Sequence, residues 1–215
     1  MNKKSNCKGL LDIGGLAIIS AVMCIWAHWE PRFPGDLRLT LLFQSVGSEP
    51  LTSVMEWVSR LFGMSQAIVL VIASAFVVWR WLGRLEAGLI LTTGLSPLAY
   101  SILKLAVNRP RPSPDLVEVF VTEKGSGFPS GHAFFAVVFL GLLAYFVFTH
   151  VRKRGLRVLA LLGLLTLILL IGASRVYLGA HWSSDVLGGY LVGAVFLALL
   201  VWLYRKWKPQ PGGFL

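Results

Sequence analysis

Side chains able to do chemistry gather in three short stretches of the sequence. The first runs Lys104-Leu-Ala-Val-Asn-Arg109-Pro-Arg111-Pro112. The second is Pro129-Ser130-Gly131-His132. The third runs Ser174-Arg175-Val-Tyr-Leu-Gly-Ala-His181-Trp-Ser-Ser-Asp185. Lys104, Arg111 and Arg175 supply three cations. A guanidinium fork matches two oxygens of a tetrahedral anion, whereas an ammonium acts as a point charge. Ser130 and Gly131 precede an apolar run, so they open a helix whose first amides point at an anion. A donor set of this kind, without an excess of carboxylates, suits a phosphoryl group.

His181 and Asp185 stand four residues apart, on one face of a helix or of its entry. A carboxylate at one ring nitrogen fixes the tautomer and frees the other nitrogen to attack. His132 then has the complementary task of donating a proton to the leaving oxygen. One histidine must be neutral and the other protonated, while Asp185 and a bound phosphate both favour imidazolium. Cys7 and Cys24 do not sit with other ligand types at metal spacing. The cations therefore stand in for a metal, and no metal or cofactor is expected.

The elements that must position these groups are apolar. The chain has 215 residues, 56% hydrophobic and 14% charged, and a mean hydropathy of +0.72. A soluble domain carries about 25% charged residues. This composition predicts an all-α integral membrane bundle, read as one domain over 1–215. Six stretches free of Asp, Glu, Lys and Arg are long enough to cross a bilayer: Ile13–Trp29, Leu61–Trp79, Ala87–Leu103, Ala133–Thr149, Val158–Ser174 and Val186–Tyr204. Basic residues cluster in alternate loops, at Lys3, Lys4 and Lys8, at Arg80 and Arg84, at Arg152–Arg157, and at Arg205, Lys206 and Lys208. The positive-inside rule puts that set and both termini in the cytoplasm of a multi-pass inner-membrane protein. All three motifs then share the outer face. The net charge of +10 belongs to topology and anionic headgroups rather than to nucleic acid. Arg109 reads as a snorkelling residue, and Glu86 as a partner of neighbouring Arg84. The segment 30–60 has helical spacing in Leu37, Leu41, Leu42, Val54, Trp57 and Val58. It reads as interfacial helices over the bundle mouth or as a packed connector.

The three stretches resemble the signature of the type 2 phosphatidic acid phosphatase (PAP2) superfamily. Its pattern Lys-x6-Arg-Pro, Pro-Ser-Gly-His and Ser-Arg-x5-His-x3-Asp is matched in order and spacing, without substitution. The resemblance implies that His181 attacks phosphorus to form a phosphohistidine, that His132 protonates the leaving group, and that Asp185 orients His181. It also implies that Lys104, Arg111, Ser130, Gly131 and Arg175 hold the phosphoryl oxygens without a metal. A lipid phosphate in the bilayer is the implied partner. Undecaprenyl diphosphate ranks slightly ahead of phosphatidylglycerol phosphate and phosphatidate, because the expected site faces outward. Two alternatives use the same residues: phosphate transfer from a lipid pyrophosphate to another lipid, and a non-catalytic lipid-binding or transport protein. The filled motifs argue against the second.

Overall fold

The computed structural model describes residues 3–208, with side chains from residue 10, and residues 1–2 and 209–215 lie outside the described residues. Every regular element among the described residues is a helix: α1 (Lys3–Trp29), α2 (Asp36–Ser45), α3 (Glu49–Leu61), α4 (Met64–Trp81), α5 (Arg84–Thr93), α6 (Ser96–Val107), α7 (Gly131–His150), α8 (Arg154–Tyr177) and α9 (Ser183–Trp207). Six spans are long and apolar enough to cross a membrane: Leu10–Trp29, Met64–Trp81, Arg84–Val107, Gly131–His150, Arg154–Tyr177 and Ser183–Trp207. Each contains most or all of one expected stretch.

The third span differs from its expected form. It is two helices, α5 and α6, rather than one. Pro97 lies in the first turn of α6, where a missing N–H is harmless, but it cannot extend α5. Hydroxyls cover the carbonyls near the break. Thr93 Oγ1 donates to the Ile90 carbonyl at 2.6 Å, and Ser96 Oγ donates to the Thr93 carbonyl. Glu86 also differs from expectation. Its carboxylate accepts from Tyr204 Oη at 2.8 Å and pairs with Lys208, so its partners come from the far end of α9 and not from Arg84.

α7 lies at the centre. Of its span, 56% is buried, against 28% or less for the other five. α8 shows why lipid must be the solvent: Leu159, Leu162, Leu165 and Leu169 are exposed along it, and burial begins only at Ile171, near the motif. α7 and α9 approach closely because Gly189 and Gly193 lack side chains. A Cβ on Gly189 would stand 2.6 Å from the Ser130 carbonyl oxygen, and one on Gly193 would stand 2.9 Å from that of Phe134. Small residues four apart let helix backbones touch, which packing in lipid requires in place of a hydrophobic drive. This contact sets the second motif against the third.

The segment 30–60 forms α2 and α3, which pack on α8 and α9. Gln44 Nε2 donates to the Tyr177 carbonyl at 2.9 Å, and Thr52 Oγ1 lies 2.7 Å from Tyr177 Oη. Trp57 and Leu42 stay exposed.

The α7–α9 contact is testable. Gly189→Ala forces the two helices apart and is expected to cost about 1–3 kcal/mol, read as a lower thermal midpoint in detergent. Gly15→Ala in α1, where nothing lies within 4 Å of the added methyl, is expected to leave the midpoint unchanged or raise it.

Candidate active site

Five chain segments meet at one end of the bundle. α6 brings Lys104, the stretch 108–130 brings Arg109, Arg111 and Glu123, and the start of α7 brings Ser130, Gly131 and His132. The end of α8 brings Arg175, and the entry to α9 brings His181 and Asp185. One backbone bond joins two motifs directly: the Ser130 amide donates to the Asp185 carbonyl at 3.0 Å.

His181 is fully buried. Arg111 Nη1 lies 3.2 Å from its Nε2 and 2.8 Å from the Ala180 carbonyl. Arginine carries donors only, so this contact suits the neutral tautomer with its lone pair on Nε2. The ring proton then sits on Nδ1, which faces Asp185 Oδ2 at 3.6 Å. That separation is longer than a hydrogen bond, and Nδ1 has no partner within bonding distance. Oδ2 instead accepts from the Trp182 amide at 2.9 Å, at the start of α9. Asp185 and His181 therefore adjoin as their spacing predicts, without the direct bond. Ser130 Oγ and Arg175 Nε are likewise buried and unpartnered. Buried polar atoms normally find partners, so this concentration at the second and third motifs marks a site and not a core.

A cavity of about 660 Å³ opens beside these groups, between α4 and α6. Lys104, His132 and Arg175 line its polar end, and Phe62, Ile68 and Val71 its apolar wall. Lys104 Nζ lies 5.8 Å from the centre of the Tyr100 ring. Ser59 of α3 accepts from Arg175 Nη1, so the roof helix holds one of the cations in place.

A family model for the PAP2 superfamily matches residues 85–209. The chain belongs to the PAP2 superfamily. The Bacillus subtilis relative "Phosphatidylglycerophosphatase B" is 31% identical over 165 residues, 74% of this chain and 77% of that protein. A solved structure of a transmembrane PAP2 type phosphatidylglycerolphosphate phosphatase from Bacillus subtilis matches with a TM-score of 0.75 at 25% identity, covering 93% of this chain and 98% of that one. "Putative undecaprenyl-diphosphatase YbjG" of Escherichia coli is 36% identical over 77 residues, 35% of this chain and 34% of that protein. Family and spans together make this a membrane phosphatase of the PAP2 type.

Three residues of this PAP2 site escape a motif reading. Arg109 is not a snorkelling side chain. It is buried and bonded to Asp185 Oδ1 at 2.6 Å. Asp36, at the start of α2, is equally buried and faces the same guanidinium at 3.2 Å. Glu123 stands among the expected phosphate ligands. Its carboxylate pairs with Arg175, lies 3.1 Å from Arg111 Nη1, and reaches within 3.7 Å of His181 Nε2 and 4.0 Å of His132 Nδ1. Burial alone raises a carboxyl, but a His181 ring protonated at Nε2, the Arg175 guanidinium and His132 outweigh it and hold Glu123 well below the usual carboxylate range.

Glu123 lines the cavity and also touches His181, so it stands between the two. Any anion reaching His181 from the cavity competes with this carboxylate for the same donors. Glu123→Gln removes the charge and keeps the shape. It is expected to lower the vanadate concentration that half-inhibits phosphate release by about tenfold. Weaker vanadate inhibition in the variant would mean that the carboxylate serves chiefly to hold Arg175.

Proposed function

We propose that the chain removes phosphate from a membrane lipid through a phosphohistidine on His181. The observation that carries the reading is a cavity with an apolar wall whose polar end is lined by Lys104, His132 and Arg175, with Glu123 reaching from it to His181 Nε2 and Arg111. A headgroup phosphate fits the polar end, and acyl or prenyl chains fit the wall. His181 Nε2 forms a bond to phosphorus while the ester or anhydride P–O bond breaks. His132 gives its proton to the departing oxygen. Water then attacks phosphorus, the N–P bond breaks, and His132 takes up the proton. Asp185 orients the His181 ring. Lys104, Arg111, Arg175, Ser130 and the Gly131 amide hold the phosphoryl oxygens, whose charge the cations balance without a metal.

The basic loops support a cytoplasmic placement of both termini and an outward-facing site in the inner membrane. We read 1–215 as one domain. Phosphatidylglycerol phosphate becomes the leading substrate. The Bacillus relative named for it matches along three-quarters of this chain, whereas the relative named for undecaprenyl diphosphate matches along one-third.

Purified protein given phosphatidylglycerol phosphate, undecaprenyl diphosphate and phosphatidate is expected to release phosphate fastest from the first. His181→Ala should reduce release from all three by about 10⁴-fold or more. Acid-labile, alkali-stable label on the wild type from labelled substrate would mark the phosphohistidine. EDTA is expected to leave the rate unchanged. Near-normal turnover by His181→Ala contradicts the mechanism, and EDTA loss restored only by added metal contradicts the cation-only site.

A further inference from the structure

The catalytic machinery just proposed leaves one large buried charge unused. Arg109 is 1% exposed, yet the Lys-x6-Arg-Pro pattern gives it no task. Each of its side-chain nitrogens is bonded. Nε donates to the Glu30 carbonyl at 3.0 Å. Nη1 donates to Asp185 Oδ1 at 2.6 Å and to Ser184 Oγ at 2.7 Å, and Nη2 donates to Asp36 Oδ2 at 3.2 Å. The Phe33 ring lies against its face at 4.5 Å. Its backbone is held as well, by the Ser126 hydroxyl and the Gly127 amide.

Asp36 completes the arrangement from another helix. Its Oδ1 accepts from the Ser184 amide at 2.9 Å and from Ser183 Oγ at 2.7 Å. Its Oδ2 accepts from Ser184 Oγ at 2.6 Å and from the Phe33 amide at 2.8 Å. The first turn of α9, which carries Asp185, is therefore capped from α2. Helix starts are ordinarily capped by their own chain neighbours, so this cap ties two distant segments together.

We propose that Arg109 and Asp36 are positioning residues for phosphoryl transfer, acting on His181 through Asp185. The inference rests on the proposed phosphohistidine reading. Asp185 has two oxygens, and both are committed: Oδ1 to Arg109 and Oδ2 to the Trp182 amide. With both held, the carboxylate cannot rotate, and Oδ2 stays aimed at His181 Nδ1. Arg109 also neutralises part of the charge of two carboxylates that would otherwise repel each other out of water. Without it, Asp185 turns or draws away from Asp36, and the His181 ring loses its reference. Arg109 and Asp36 do not line the cavity, so their effect falls on the rate of phosphorus attack and not on lipid binding.

The test compares wild type, Arg109→Gln, Arg109→Lys, Asp36→Asn, Asp185→Asn and the Arg109→Gln/Asp185→Asn double variant. Each is purified in detergent, checked for its thermal midpoint, and assayed on phosphatidylglycerol phosphate. Arg109→Gln and Asp36→Asn are expected to lower kcat by about 10- to 100-fold, with KM and vanadate inhibition within about threefold. Arg109→Lys should recover at least about fivefold of the loss, because it restores the charge without the fork. In the Asp185→Asn background, Arg109→Gln should cost less than about twofold further.

Arg109→Gln with kcat within about threefold of wild type overturns the inference. So does an equal cost of Arg109→Gln in both backgrounds, which would mean that Arg109 acts independently of Asp185. A raised KM with unchanged kcat overturns it too, since that is a binding effect. Where Arg109→Gln is recovered unfolded, the same criteria apply to Asp36→Asn. A wild type that releases no phosphate from any of the three lipids refutes the phosphatase reading itself, which is a different failure.

Discussion

A guanidinium taken out of water must recover its hydration from the protein, and Arg109 does so from three chain segments at once. Burying a single ion costs several kcal/mol even after the protein relaxes, and breaking one partner of such a pair is worse than never forming it. Here the compensation comes from two carboxylates, one hydroxyl and one carbonyl, drawn from the end of α1, the start of α2 and the start of α9. This end of the bundle is consequently not a set of independent loops. Moving α2 uncaps α9, and moving α9 leaves Arg109 with a buried, half-paired charge. Asp185 lies inside this network, and the Ser130 amide hangs on its carbonyl. The geometry of two motifs is thus held by an arginine outside the motif pattern.

The bilayer sharpens this dependence. Helices in lipid gain nothing from burying leucine against leucine, so close packing and polar contacts must carry association. Glycines bring α7 against α9, and the polar network closes one end of that pair. The described site gathers Lys104, Arg109, Arg111 and Arg175 against Asp36, Glu123 and Asp185, so carboxylates nearly balance cations as it stands. A phosphoryl dianion entering beside Glu123 would leave an excess of negative charge in a place of low dielectric. The same dianion replacing Glu123 among the donors leaves the balance close to where it was. Electrostatics alone therefore sets phosphoryl binding and Glu123 binding against each other. The backbone around Glu123 suits an exchange. Phe120 and Gly127 are tied by backbone hydrogen bonds to Leu178 and Arg109, and Gly125, two residues from Glu123, has a positive φ of 80°.

Apolar runs and motif spacing carried the sequence reading most of the way. The six spans were legible because a bilayer demands length and apolarity from each segment separately. The three motifs were legible because each is local, a matter of a few residues around one helix end. What was not legible is relational. The break between α5 and α6 depends on Pro97, which was visible but sits within a run free of charged residues. Glu86 had Arg84 two residues away, and its actual partners lie 118 and 122 residues on.

Arg109 shows where such a reading can be pushed further. No acidic residue occurs within four positions on either side of it. A charge in that setting, without a local counterion, either reaches water or obliges the fold to deliver a carboxylate. The site already held one such carboxylate in Asp185, so the second outcome was derivable. The same rule fails for Asp36 and Glu123. Each has a basic neighbour in sequence, Arg38 and Lys124, that offers a local counterion. Asp36 instead pairs with Arg109, 73 positions away, and Glu123 with Arg175, 52 positions away. A local counterion in sequence is therefore weak grounds for calling a charge settled, while its absence is good grounds for expecting a buried partner.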